Sequence, residues 1–421
     1  MIFMRKYVYF VLLCSLASCK GNVLSNLNPI KGSYSTVSLQ LPDSIADLQV
    51  QDIPTTIQIP EEQEELNVHD LCPNVTYVPL ETRPECLLGN IDKIKADSSY
   101  IFVLDKRNSL LCAFRKDGTF HKKYGSIGHG PGEFVSITDF SLDLSKHVVT
   151  ILDLGGGKLI TYAYDGNYLS EQPLFYYYNQ FECSDHCWPL STSFAHNSMS
   201  PQLDLHRLIL SDNSQVPYSR AFPFSDRLRK DFHQESKIVF QKTSDNSIYY
   251  NYIPSNVIYE FSDTTCVARY RITSQAHGQD WDKLVEQLNT DELFDAYVKQ
   301  NRYFSSIYLI NRNFLVCYIF NPTPSVSMLL FDRKTMHQKY GTLYYGNRSS
   351  LTNKLLASHF DFALYDNTFV NFIQPFDVFK IIDEHKRFQM PLIIDKKEQE
   401  LLSKIDSESN PVLMLFSFQS F

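Results

Sequence analysis

Neither a Gly-x-Ser-x-Gly elbow nor a His-Glu-x-x-His helix occurs in the 421 residues, so the strand-turn-helix serine hydrolases and the zincin metalloproteases are left out at the start. Long apolar runs are missing as well. The stretch Tyr7 to Leu13 is far shorter than the ~20 residues a permanent membrane-spanning helix needs. Positive charge is in deficit, with 39 Lys and Arg against 47 Asp and Glu. The net value is −8, or −10 once a leader carrying Arg5 and Lys6 is removed. An acidic surface repels phosphate backbones, so nucleic acid is not an expected partner. Carboxylates are so common in such a chain that sequence alone assigns no pair of them to acid/base work. What the chain does have is aromatic bulk: 30 Phe and 26 Tyr within a 43% hydrophobic composition. That suits half-buried pleated strands and excludes disorder for most of the length.

The N-terminus is organised differently. Met1 to Ser18 has a basic start, a short apolar run and small residues before a cysteine, the anatomy of an export signal. Leu16-Ala17-Ser18-Cys19 resembles the lipobox of bacterial lipoproteins, which implies lipidation of Cys19 and a membrane partner reached through the N-terminal lipid. Residues 19–36 are rich in Asn, Ser and Gly and read as a flexible tether, with a reach of roughly 20 Å. Residues 37–74 read as an irregular segment, and the acidic stretch Thr55 to Val68 within it as solvated surface.

From about Val75 an internal repeat sets in. Residues 101–120 overlie 149–168 without a gap. Leu104-Asp105 matches Leu152-Asp153, Phe114 matches Tyr162, and Asp117-Gly118 matches Asp165-Gly166. Each unit reads strand, polar turn, strand, Asp-Gly turn, strand, because Asp-Gly between apolar runs marks a tight hairpin. A third echo, His337-Gln338-Lys339-Tyr340-Gly341, copies His121-Lys122-Lys123-Tyr124-Gly125. Further strand clusters at Leu205 to Leu210, Ile248 to Phe261, Phe314 to Phe320 and Phe369 to Ile382 bring the count to about six units. Such units bury their apolar faces only against one another, and radial packing makes a propeller. The expected fold is therefore all-β, a six-bladed β-propeller over 75–421, with Val75 to Leu80 and Pro411 to Phe416 sharing the closing blade. Two segments carry helical spacing instead. One is an insertion at about 280–300 (Trp281, Leu284, Val285, Leu288, then Leu293, Phe294, Tyr297, Val298), and the other is a short C-terminal helix, Lys396 to Ile405, with Leu401, Leu402 and Ile405 inward.

The run Gly125-Ser126-Ile127-Gly128-His129-Gly130-Pro131-Gly132-Glu133-Phe134, followed by Asp139-Phe140, resembles the six-bladed β-propeller lipoproteins of gut Gram-negative bacteria and, more distantly, NHL repeats. The resemblance implies a propeller and an envelope address. It carries no catalytic residues. The glycine cluster itself is no phosphate loop, since no Lys-Ser/Thr follows and Pro131 lacks a backbone donor; it reads as an interblade turn.

Candidate chemistry is sparse. Cys183-Ser184-Asp185-His186-Cys187-Trp188 lacks the distant second ligand pair that zinc requires, so no metal and no cofactor are expected. A Cys183–Cys187 or a Cys72–Cys86 disulfide stays open, while Cys112, Cys266 and Cys317 read as small core residues. Tyr176, Tyr177, Tyr178 and Trp188 are candidate ligand-stacking aromatics, with His129 a further candidate on a blade edge. Functionally, the sequence leads to a lipid-anchored envelope module that binds a glycan, a peptide or a partner envelope protein. Lys20 after Cys19 favours the periplasmic face of the outer membrane. The alternative is an enzyme of the central funnel, such as a polysaccharide lyase, glycosidase or lactonase; it would gather His, Asp, Glu or Arg at the axis.

Overall fold

The computed structural model describes residues 41–421 apart from 43, 186, 198–199, 227–237, 263–264, 275–286, 288–289, 323–324, 357–358 and 365–366. The leader, Cys19, the tether, His186 and the first half of the helical insertion (Trp281, Leu284, Val285, Leu288) lie outside the described residues.

Six antiparallel sheets stand around an axis, each contributing four strands from the axis outward. Blade one comprises Lys93–Ala96, Tyr100–Asp105, Leu110–Arg115 and Phe120–Lys123. In blade two, Val148–Asp153, Lys158–Ala163 and Tyr168–Pro173 repeat the last three at the 48-residue offset read from the sequence. The Asp-Gly turns close both hairpins, with Gly118 at φ 89° and Gly166 at φ 85°. The matched aspartates have matched duties. Asp105 accepts from the backbone N–H groups of Gly89, Asn90 and Asn108, and Asp153 from those of Val135, Ser136 and Gly156. Each ties the incoming interblade connection to the loop after the second strand, which is why the residue recurs with the repeat.

The ring closes as expected. Val412–Ser417 pairs antiparallel with Val75–Pro79, Leu413 facing Val78, so blade six is built from both ends of the propeller. Six apolar clusters fill the six clefts between blades, which is how each sheet buries both of its faces.

Residues 46–67 differ from the irregular, solvated segment expected. They form a strap that lays a short parallel strand on the outer edge of three successive blades. Ala46–Asp47 joins blade three, Val50–Gln51 and Thr55–Gln58 join blade four, and Glu64–Asn67 joins blade five. Between the strands, Ile45, Val50, Ile57 and Leu66 plug the interblade clefts. The glutamates at 61, 62, 64 and 65 are exposed as read, but an edge strand buries only every second residue, and that sparse apolar signal was easy to pass over. The strap also explains a glycine. In the echo that matches Tyr340-Gly341 to Tyr124-Gly125, Gly125 takes φ 62° in a turn, whereas Gly341 sits in a strand where an added Cβ would lie 1.8 Å from the Glu64 carbonyl oxygen. Gly341→Val is expected to lift the strap from blade five; the check is faster proteolytic cleavage within 59–67 together with a lower melting temperature.

One strand cluster needs correction. Phe369 to Ile382 is not all strand. The strand Thr368–Ile373 ends where Pro375 starts the helix Pro375–Arg387, because proline suits a first helical turn and Val378 and Ile382 recur at helical spacing. The short helix at Lys396–Leu402 is present, capped by Asp395 and Glu398, with Leu401 buried and Leu402 half-buried. Of the insertion, Asp291–Val298 is helical and buries Phe294, while Leu293 points to solvent. No described helix is long and apolar enough to cross a membrane.

Within a blade the strands are antiparallel, so connections alternate between the two ends of the ring. Every helix of four or more residues beyond residue 290, namely Asp291–Val298, Leu351–Leu355, Pro375–Arg387 and Lys396–Leu402, falls on the same end, with the interblade loops. The opposite end carries tight turns.

Candidate functional site at the propeller axis

The innermost strand of each blade turns every second side chain toward the axis. In blades one to four those positions are polar. Blade one supplies Lys93 and Lys95; blade two supplies Asp139 and Ser141; Gln180 and Glu182 come from blade three, Gln241 and Lys242 from blade four. The result is a continuous buried network. Lys93 donates to Asp139 at 2.7 Å and lies 3.9 Å from Glu182, while Lys95 pairs directly with Glu182. Ser141 donates to the second Glu182 oxygen at 2.8 Å and accepts from the Cys183 N–H at 2.9 Å. Asp139 accepts from the Phe181 N–H at 3.1 Å, and Lys242 donates to the Cys183 carbonyl at 2.9 Å. Gln180 and Gln241 continue the chain to the Val239 N–H and to the Tyr308 carbonyl. Blades five and six complete the ring with apolar groups, Leu309 and Phe362 among them.

Charge state follows from this arrangement. Burial would raise the Glu182 carboxyl, but the ammonium groups of Lys95 and Lys93 outweigh it and hold the group below the usual carboxylate range. For Lys95 burial prevails and lowers the ammonium despite Glu182. Burial pushes the neighbouring Cys183 thiol up to about 12, which makes it a packed thiol rather than a nucleophile. The axial cavity left between these groups is narrow, ≈ 70 Å³, with Lys95, Leu142, Leu144, Phe240, Lys242 and Phe362 on its wall. That is room for a few waters. None of these axial residues was singled out from the sequence. Their signal was available: Lys-Ile-Lys, Asp-Phe-Ser and Gln-Phe-Glu alternate polar and apolar in strands whose outer neighbours are apolar throughout.

The candidates that were singled out are scattered. Tyr176 and Tyr178 are buried between blades two and three with their hydroxyls donated to Gln215, so neither ring offers a face to a ligand. Tyr177 is half-buried, its backbone N–H held by Asn197. Trp188 is half-buried against Phe181 at the start of its strand. A sequential triplet of tyrosines in extended backbone alternates sides, and here the two that turn inward fill an interblade cleft. His129 is exposed in the interblade turn, where Glu133 accepts from the Gly130 N–H and Gly128 donates to the Phe134 carbonyl. Cys183 and Cys187 are both buried free thiols, as are Cys72, Cys86, Cys112, Cys266 and Cys317, so the open disulfide pairings are not formed. Among the described residues no three His, Cys, Asp or Glu side chains come together as a metal site would require.

A second concavity lies on the helix-bearing end. A groove of ≈ 760 Å³ runs between the helices Pro375–Arg387 and Lys396–Leu402, with Phe376, Phe379, Leu402 and Ile405 along it and Lys380 and Arg387 at its rim. Phe376 is 60% exposed, and Phe388 and Ile393 are exposed beyond the helix end.

No functionally curated protein matches the chain. Among solved structures, a Bacteroides fragilis protein described as exported superposes with a TM-score of 0.69 at 18% identity, covering 87% of this chain and 100% of its own. A member of the DUF4221 family from Bacteroides vulgatus matches at 8% identity, over 83% of this chain and 97% of its own, with a TM-score of 0.46. The first of these likenesses concerns the fold, which fits many activities. A family pattern covers residues 53–417, nearly the whole ring with its strap, and the chain belongs to that family, a domain of unknown function designated DUF4934.

Proposed function

We propose that this protein is a lipid-anchored propeller of the cell envelope that acts as a binding or scaffold module, held through Cys19 at the periplasmic face of the outer membrane. The observation that carries the non-catalytic reading is the state of the axial carboxylates. Asp139 and Glu182 are buried, and each is engaged by a lysine of blade one and by a further hydrogen bond. A general acid or base needs an open side toward its substrate; these two groups spend theirs on stitching blades together. Accessible relief lies instead on the helix-bearing end. The groove beside Phe376 combines aromatic faces with charges of both signs, the mixture with which a surface recognises a peptide, a glycan or a partner envelope protein. The match to an exported Bacteroides protein is in keeping with an envelope address.

The test is a glycan and peptide binding screen on the chain from Gly32 onward, which retains every strand of the ring, with mass-spectrometric analysis of each hit. Capture of unchanged ligand, weakened by Phe376→Ala, is the expected result. Product formation abolished by replacing Asp139 or Glu182 in a variant that still folds would overturn it in favour of a funnel enzyme.

A further inference from the structure

The outer edges of the six blades are not treated alike. Blades three, four and five each receive a parallel strand from the strap. Blade six ends in Val75–Pro79, the stretch that leads out of the strap. Blade one ends in Phe120–Lys123, whose edge carries two lysines and is overlaid by the turn Pro84–Cys86; Glu81 accepts from the Phe120 N–H and Arg83 covers the Phe120 ring. Lysines and a covering loop are the ordinary protections of a sheet edge. Blade two has neither. Its outer strand Tyr168–Pro173 is exposed from Tyr168 to Glu171, Leu169 is 51% exposed, and among the described residues nothing pairs with its outer side.

We infer that this edge is a docking site for an extended polypeptide segment of another protein, laid parallel to Tyr168–Pro173. The direction and the mode come from the strap, whose strands form one outer layer over blades five, four and three and stop beside blade two, with Ile45 in the cleft between blades two and three. A guest strand continues that layer by one blade. Backbone hydrogen bonds supply its affinity, and an apolar guest residue beside Leu169 removes exposed surface. The four exposed residues match the two-to-four-residue strands that the strap itself uses. This surface lies on the flank of the ring, away from the helix-bearing end, and shares with the preceding reading only the idea that the protein binds partners.

The experiment displays a library of random dodecapeptides against the chain beginning at Leu41, from which the whole described ring is made, and against its Leu169→Lys variant. Lysine at an exposed edge position leaves the inner pairing with Lys158–Ala163 untouched, so near-identical melting curves establish that the variant folds. The expected outcome is enrichment of peptides with alternating apolar residues that bind the variant about tenfold more weakly or worse. Peptides that bind both proteins equally, or no enrichment, overturn the edge site; equal binding still supports the helix-bearing end. A chain beginning at Gly21 that refuses peptides accepted by the chain beginning at Leu41 also overturns it, since the protein's own upstream residues then occupy the edge.

Discussion

A chain ending after Asn410 is expected not to fold cooperatively: heating or urea should give a broad, shallow change, and the fragment should be cleaved by protease along its length. The lost strand Val412–Ser417 is the third of blade six and the only link between its two halves, pairing with Thr368–Ile373 on one side and Val75–Pro79 on the other. Val412, Leu413, Met414 and Phe416 are each wholly buried, two clusters depending on them. At about 1.5–3 kcal/mol per buried side chain, their loss removes roughly 6–12 kcal/mol. That equals the whole stability of a typical domain, about 5–15 kcal/mol. Asn410 adds to the closure, since its side chain accepts from the Leu88 N–H and donates to the Glu81 and Cys86 carbonyls. If the shortened chain still melts in a single sharp transition, closure by the terminal strand is not what holds the ring.

The second large effect is at the axis. Glu182→Gln keeps the shape but leaves Lys95 buried without its counter-charge, a change that costs about 3–5 kcal/mol where buried pairs are broken. The pH dependence should change with it. Because Glu182 is held below the ordinary carboxylate range in the folded protein, the folded state binds fewer protons than the unfolded one in acid. Its stabilising contribution is complete above the unfolded carboxylate pKa of about 4.3 and is lost as pH falls through the lower folded value. Wild-type stability should therefore drop on acidification, and the Gln variant should show a shallower drop from a lower starting point. Lys95 acts in the opposite direction, its ammonium already lowered by burial. With its partner gone it releases its proton more readily, so the variant should recover stability as pH rises toward the unfolded lysine value of about 10.4. Denaturant midpoints at pH 4, 7 and 9.5 check both arms. A paired change, Lys95→Met with Glu182→Leu, is expected to be near neutral, because two apolar groups need no counter-charge. If the paired change instead unfolds the protein, the network does more than balance its own charges.

How much of this was visible in the chain itself depends on the distance over which each feature is decided. The repeat, the Asp-Gly turns, the strand alternation and the sharing of the last blade between Val75 to Leu80 and Pro411 to Phe416 are set by residues within a few positions of one another, or by a pattern copied along the chain. Hence the 48-residue offset reappears as stacked blades, and the matched Asp105 and Asp153 tie matched loops. Pro375 and the helical spacing after it were equally local, and reading through them as strand ignored a signal that was present.

The axial network was of another kind. Lys93, Asp139 and Glu182 lie up to 89 residues apart, and nothing short of the ring places their side chains within 4 Å of each other. The strap likewise depends on partners some 170 to 280 positions downstream, as between Ala46 and Ser219 or Glu64 and Gly341. The tyrosine triplet shows the reverse error: aromatic content is written in the sequence, but which rings remain open to a ligand is settled by the cleft that Tyr176 and Tyr178 fill. What the sequence determined alone is thus the all-β repeat, its turns and its closure, since backbone geometry and side-chain alternation act locally. The tertiary structure alone decided which polar groups meet at the axis, which edges are covered and which are open, because burial and charge pairing exist only once distant segments are brought together.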